Sequence, residues 1–185
     1  MKRCEKERLT IRKLKEQIRK LKDELFIHRG LKTRVTGTTG EDFIKRLSPR
    51  STQIPHDASF DILTKGGVKI EVKTVRCLPA NNKNLTPCFR WSWRYVIGHN
   101  KEKDYDYLIL IGDKDKRYNH NDKDKTPYVY FLLTKKQVKQ ILYPNDAHGQ
   151  INLTTKFDTV RSKQGRSLLK HRKSFTEIKA FLKKV

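Results

Sequence analysis

The stretch Phe60-Asp61-Ile62-Leu63, followed after Thr64-Lys65-Gly66-Gly67 by Lys69-Ile70-Glu71-Val72-Lys73, decides how this chain folds. The two apolar runs are short and β-rich, and the glycine-containing turn between them is a hairpin signal. Strand side chains alternate between faces, so Glu71 and Lys73 point to one side while Ile70 and Val72 point to the other. Asp61 lies on the preceding strand of the same hairpin, which brings its carboxylate close to that of Glu71. Two converging carboxylates repel each other unless a cation lies between them, and oxygen ligands favour a hard ion such as Mg²⁺. The pattern therefore predicts a metal site. Lys73 beside it is placed to orient or deprotonate a water, or to stabilise charge developing on a phosphate.

Outward from the hairpin, Phe89 to Ile97, Tyr107 to Ile111 and Tyr128 to Leu133 are further strand candidates, and Lys135 to Leu142 reads as a helix. Upstream, Thr36-Gly37-Thr38-Thr39-Gly40 reads as a turn-rich loop opening a short helix, Glu41 to Leu47, which Ser48-Pro49 ends. Glu41, directly after Gly40, either adds a third carboxylate to the cluster or complements the positive end of its helix. At the N-terminus, Ile11, Leu14, Ile18, Leu21 and Leu25 fall three and four apart, the stripe of an amphipathic helix that serves either its own core or a partner. Beyond Pro144 come a loop, a basic segment with Leu168 and Leu169, and a last helix carrying Ile178, Phe181, Leu182 and Val185. The order helix, strands, helix predicts a mixed α/β or α+β class. All 185 residues are assigned to one domain, with an N-terminal helix in 1–30, a core in 40–142 and a C-terminal helical extension in 143–185.

Composition narrows the partners. The chain carries 43 Lys and Arg against 20 Asp and Glu, a formal charge of +23 that calls for a polyanion, nucleic acid first. With 35% hydrophobic residues it can still build a core, which sets it apart from a disordered basic tail. No apolar run reaches the roughly 18 residues of a membrane span, and Met1 to Leu25 lacks a signal-peptide apolar region, so a cytoplasmic location is expected and no membrane partner. Cys4, Cys77 and Cys88 form no Cys-x-x-Cys pair, which argues against structural zinc or a disulfide framework.

Gly40-Glu41 at a helix start, then Asp61, then Glu71-Val72-Lys73 on a strand resembles the PD-(D/E)XK nuclease superfamily, the fold of most Type II restriction endonucleases. Phe60 stands where the nominal motif has proline. The resemblance covers residues 40–112 and implies a restriction-endonuclease-like core, a central mixed β-sheet flanked by helices. It also implies Mg²⁺-dependent hydrolysis of a DNA phosphodiester, with Mn²⁺ substituting, and products with 5′-phosphate ends. By this likeness Asp61 and Glu71 are metal ligands, Val72 contributes its backbone carbonyl, Lys73 serves the attacking water and Glu41 is an auxiliary acid. In size and in its basic N-terminal helix the chain is similar to the small cleavage subunit of heterodimeric Type IIS restriction endonucleases. That likeness implies double-stranded DNA as substrate and a larger subunit that recognises the sequence and nicks the other strand.

Several competing readings are weaker on physical grounds. Asp57 also precedes the strand, but in the Pro55-His56-Asp57 turn context, where acids usually bind local backbone. A second Glu-x-Lys triplet, Glu177-Ile178-Lys179, sits in a helical pattern without an upstream Asp strand. Asp113 to Lys125 lacks the glycine and terminal glutamate of a calcium loop and reads as a solvated hairpin loop. His99-Asn100 and His120-Asn121 suggest an HNH nuclease, but without the expected strand-strand-helix frame. In Arg90-Trp91-Ser92-Trp93-Arg94 the tryptophans read as core, whereas Arg90 and Arg94, together with Lys69, are expected to contact DNA. A homodimeric repair or junction-resolving nuclease of the same fold, and a basic nucleic-acid-binding protein without catalysis, remain compatible with these features.

Overall fold

The turn at Thr64 closes as the sequence predicts. The Thr64 N–H donates to the Val68 carbonyl and the Gly67 N–H to the Thr64 carbonyl, both at 3.0 Å. Gly67 has φ +79°, a left-handed conformation that glycine adopts without strain. The computed structural model describes residues 14–18, 37–54, 58–80, 88–98, 102–114, 126–146 and 149–185. In chain order the elements are α1 (Gly37–Leu47), β1 (Thr52–Gln53), β2 (Ile62–Leu63), β3 (Lys69–Val75), β4 (Leu78–Ala80), β5 (Cys88–Trp93), β6 (Tyr107–Asp113) and β7 (Tyr128–Thr134). There follow α2 (Lys135–Ile141), β8 (Ile151–Thr154), a 3₁₀ turn (Phe157–Thr159), α3 (Lys163–Leu169), β9 (Arg172–Lys173) and α4 (Phe175–Lys184).

Two sheets result. The larger has the order β1-β2-β3-β6-β7-β9, with β3 and β6 parallel and the other neighbours antiparallel. The smaller is the antiparallel sheet β4-β5-β8. A mixed α/β fold with a mixed sheet flanked by helices is thus observed, as expected. The parity of β6 assigns the layers. Leu108 and Leu110 join Trp91, Trp93, Phe131 and Leu133 in a buried cluster to which Val138 of α2 and Leu168 of α3 also belong. On the opposite parity, α1 and α4 cover the sheet: Phe43 stacks on Tyr130 at 6.1 Å, and Phe181 meets Tyr107 edge-on at 4.8 Å. Both tryptophans are fully buried, and their indole N–H groups donate to the carbonyls of Asp113 (3.0 Å, Trp91) and Ile111 (3.1 Å, Trp93). The core reading of Trp91 and Trp93 therefore holds.

The structure revises several expectations. Thr36 lies outside the described residues, but helix α1 begins at Gly37, so Gly37 to Gly40 is helical and not a turn-rich loop, and Gly40-Glu41 lies inside the helix. The reason is packing: a Cβ at Gly40 would lie 1.8 Å from Thr74 Oγ1, so this glycine lets α1 press onto β3 and does not turn the chain. The strand expected from Phe89 to Ile97 ends at Trp93, next to Tyr95 at φ +58° and Gly98 at φ +108°. Residues 143–185, expected as a loop and helical extension, supply β8 to the small sheet and β9 to the edge of the large one. Ile151 and Leu153 alternate with half-buried Asn152 and Thr154, a strand pattern only four residues long; Arg172-Lys173 is a strand by pairing alone.

The chain divides into two compact units, Met1–Arg34 and Val35–Val185. In the first, residues 14–18 are helical and Leu14 and Ile18 are each 51% exposed; Ile11, Leu21 and Leu25 lie outside the described residues. Asp57, His99, Asn100, His120 and Asn121 lie outside them as well. Among the described residues no helix is long and apolar enough to cross a membrane.

Candidate active site

The hairpin and the parallel β3–β6 pair together build the site. The Asp61 N–H donates to the Ile70 carbonyl at 3.1 Å, which anchors the backbone just ahead of β2. The Asp61 side chain then takes over from the ladder: Oδ2 accepts the Val72 N–H at 2.7 Å. This is why β2 spans Ile62–Leu63 and not the longer run from Phe60. The N–H and C=O of one strand residue leave by the same edge, so the Val72 carbonyl faces the Asp61 side.

Glu71 and Lys73 share the face of Leu108 and Leu110, their register partners on β6. Glu71 is fully buried. Its Oε1 receives two ammonium groups, Lys73 Nζ at 2.7 Å and Lys103 Nζ at 2.5 Å. Its Oε2 is buried without a hydrogen-bond partner. A buried carboxylate oxygen left in this state costs free energy, on the order of 1–3 kcal/mol or more for a charged group. Burial, and then the Asp61 charge, push the Glu71 carboxyl above its usual range, while Lys73 and Lys103 oppose the shift. For Lys73, burial is the largest single influence and lowers its pKa, but the charge and hydrogen bond of Glu71 and the charge of Asp61 outweigh it. Lys73 is held as an ammonium.

The structure thus brings together Asp61, Glu71, Val72 and Lys73. Glu41 differs: it is buried at 6% exposure on α1, with Gln53 Nε2 donating to its Oε2 at 3.3 Å. Helix α1 lies against Thr74 and Val72, the opposite face of β3 from Glu71. Among the described residues no three His, Cys, Asp or Glu side chains form a metal-holding group, so Glu41 does not complete a three-carboxylate cluster with Asp61 and Glu71. Nor is it a first-turn helix acid, because α1 starts four residues earlier. Sequence reasoning missed Lys103 and Gln53. The one signal for Lys103 was its place just before a strand parallel to the Glu71 strand, which shows only once the pairing is known.

The donor set fits a hard divalent cation. Asp61 offers a carboxylate beside β3, just ahead of β2, Glu71 an unpartnered Oε2, and Val72 a carbonyl on the Asp61 side. The expected DNA contacts are placed differently from one another. Arg90 and Arg94 are exposed on and just after β5, whereas Lys69 is paired with Asp104 at 2.5 Å and lies over the Phe60 ring. The other Glu-x-Lys triplet plays an unrelated part, since Glu177 closes a capping box with Ser174 at the start of α4. Compared with known protein-family models and with curated proteins, the chain matches none.

Proposed function

We propose that this protein is a divalent-metal-dependent DNA endonuclease with a PD-(D/E)XK type of site, hydrolysing a phosphodiester in one strand of duplex DNA. The observation that carries the reading is Glu71. A fully buried carboxylate next to Asp61, with one oxygen clamped by ammonium groups and the other unpartnered, is a costly arrangement that a bound cation would relieve. Asp61, Glu71 Oε2 and the Val72 carbonyl would hold Mg²⁺ or Mn²⁺. Bound there, the ion would polarise the phosphodiester and acidify a water. The protein's own groups do the rest. Lys73, kept protonated by Glu71, orients the water and stabilises negative charge on the phosphate; it does not take the proton. The excess of 23 positive charges draws in the duplex. Glu41, with its Gln53 partner, supports the α1 side of β3 and makes no metal bond. One such cluster cuts one strand, and a larger recognition subunit that nicks the other strand, as in heterodimeric Type IIS enzymes, belongs to the proposal.

The test is nicking of supercoiled plasmid in Mg²⁺ or Mn²⁺, with chelator and an Asp61→Asn variant as controls, alongside Mn²⁺ binding by calorimetry. Asparagine keeps an acceptor for the Val72 N–H and removes the charge, so the fold is retained. Asp61→Asn is expected to lose both cleavage and Mn²⁺ binding. Cleavage by Asp61→Asn at the wild-type rate, or in the presence of chelator, refutes the proposal.

A further inference from the structure

Lys103 belongs to no part of the motif read from the sequence, yet its ammonium makes the shortest contact of the site, 2.5 Å to Glu71 Oε1. It is not a surface lysine that happens to reach inward. Its side chain is 19% exposed. Its N–H donates to the Ile97 carbonyl at 2.8 Å, and its carbonyl accepts Lys135 Nζ from α2 at 2.7 Å. On either side the segment is clasped again, through Glu102 to Lys135 (3.2 Å) and Lys139 (3.0 Å), and through Asp104 to Lys69 (2.5 Å). A strap fixed at this many points delivers one charge to one oxygen.

Two cations on a single carboxylate oxygen exceed what Glu71 alone requires. Asp61 and Glu71 carry two negative charges, and Lys73 and Lys103 carry two positive ones, so this group is neutral with the ammonium groups in place. Without Lys103 it has a net charge of −1 and attracts a cation more strongly. We propose that Lys103 is the resident counter-ion of Glu71, a positioning residue that holds the carboxylate in place and lowers the affinity of the site for its divalent ion. This rests on the metal-site reading of Asp61 and Glu71. The Glu71 carboxylate is shared between an incoming ion and Lys103, so the ion binds only when its concentration is high enough to overcome the repulsion. In return, Glu71 does not have to be repositioned when the ion arrives.

The experiment is Mn²⁺ titration by calorimetry of the full chain, wild type against Lys103→Met, Lys103→Gln and Lys103→Arg, with melting temperatures recorded with and without Mn²⁺. Removing the charge is expected to tighten Mn²⁺ binding about tenfold or more, the size of effect one unit charge has on a divalent ion a few ångströms away even in a water-like dielectric. Lys103→Gln retains a donor for Glu71 without the charge, so it reports on affinity should Lys103→Met fold poorly. Both neutral variants should melt lower than wild type without metal and gain more from Mn²⁺. Lys103→Arg should bind as wild type does. Unchanged or weaker binding by a folded neutral variant overturns the counter-ion role, as does Lys103→Arg behaving like Lys103→Met. If Asp61→Asn abolishes Mn²⁺ binding while the Lys103 variants leave it unchanged, only this inference fails; if Mn²⁺ binds none of the proteins, or binds Asp61→Asn normally, the metal site fails as well.

Discussion

Gly40→Ala probes how the sequence builds the α1 side of the site. Inside a helix, alanine is favoured over glycine by about 1 kcal/mol, so propensity alone predicts a more stable protein. The structure predicts the reverse. The added methyl would sit 1.8 Å from Thr74 Oγ1, 3.0 Å from Thr74 Cβ and 3.5 Å from Val72 Cγ1. Rotating the threonine relieves the first contact but not the second, because its Cβ moves only with the β3 backbone. Overpacking of this kind costs roughly 1–3 kcal/mol, and after the helix gain of about 1 kcal/mol a net loss of up to about 2 kcal/mol remains. At the upper end of that range the melting temperature of a protein of this size falls by roughly 4–8 °C. Thr74→Ala should be mild or stabilising by itself, since Thr74 Oγ1 is a buried hydroxyl without a hydrogen-bond partner. In the double variant the closest clash is gone, so urea unfolding of the four proteins should show a favourable coupling of about 1 kcal/mol between the two positions. A stabilising Gly40→Ala, or additive effects of the two changes, would refute the claim that glycine is there for close approach.

Two further outcomes follow from the surface. Glu177 is held down to about 2 by the Ser174 backbone N–H, the Lys173 ammonium and the Ser174 hydroxyl. A carboxyl depressed in the folded state stabilises fully above its ordinary 4.5 and loses that contribution as pH falls toward 2, so the stability gap between wild type and Glu177→Ala should close over that window. With half the side chain exposed, the gap is about 1 kcal/mol or less, and urea midpoints that stay equally separated in acid would count against it. For DNA binding, Arg90→Ala with Arg94→Ala should lower the slope of log affinity against log salt by about 2, roughly 0.9 for each phosphate no longer neutralised. Lys69→Ala, whose ammonium is already paired with Asp104, should change it far less; a larger effect from Lys69 than from the arginine pair would reverse that assignment.

What could be read from the sequence is what depends on near neighbours. The β2–β3 hairpin, the start of α2 at Lys135 and the buried tryptophans follow from alternation, helical spacing and turn glycines. What escaped depends on distant partners. Gly40 reads as a turn until β3 is seen against it, and Arg172-Lys173 carries no strand propensity but pairs with Phe131 and Tyr130. Lys103 is one of many lysines until the parallel β3–β6 pair brings its strap to Glu71. Glu41 reads as a companion of the other carboxylates through its motif neighbour Gly40, whereas α1 lies on the other face of β3.

The two Glu-x-Lys triplets show why local pattern alone does not assign chemistry. In Glu177-Ile178-Lys179 the glutamate is half exposed and its oxygens serve Ser174 and Lys173 at a helix start; water and backbone satisfy it, and nothing is left to bind. In Glu71-Val72-Lys73 the same residue types lie on a central strand, where no water reaches the glutamate and the β-ladder has already used the backbone groups facing β6. Its charge must be met by side chains, and Lys73 and Lys103 meet it on one oxygen only. The leftover Oε2, buried and unpartnered on a carboxyl that feels the Asp61 charge, is what the strand triplet has and the helical one lacks, and it is the basis of the proposed cation site. Burial of an incompletely satisfied carboxylate, more than the identity of the triplet, is the property that marks the site.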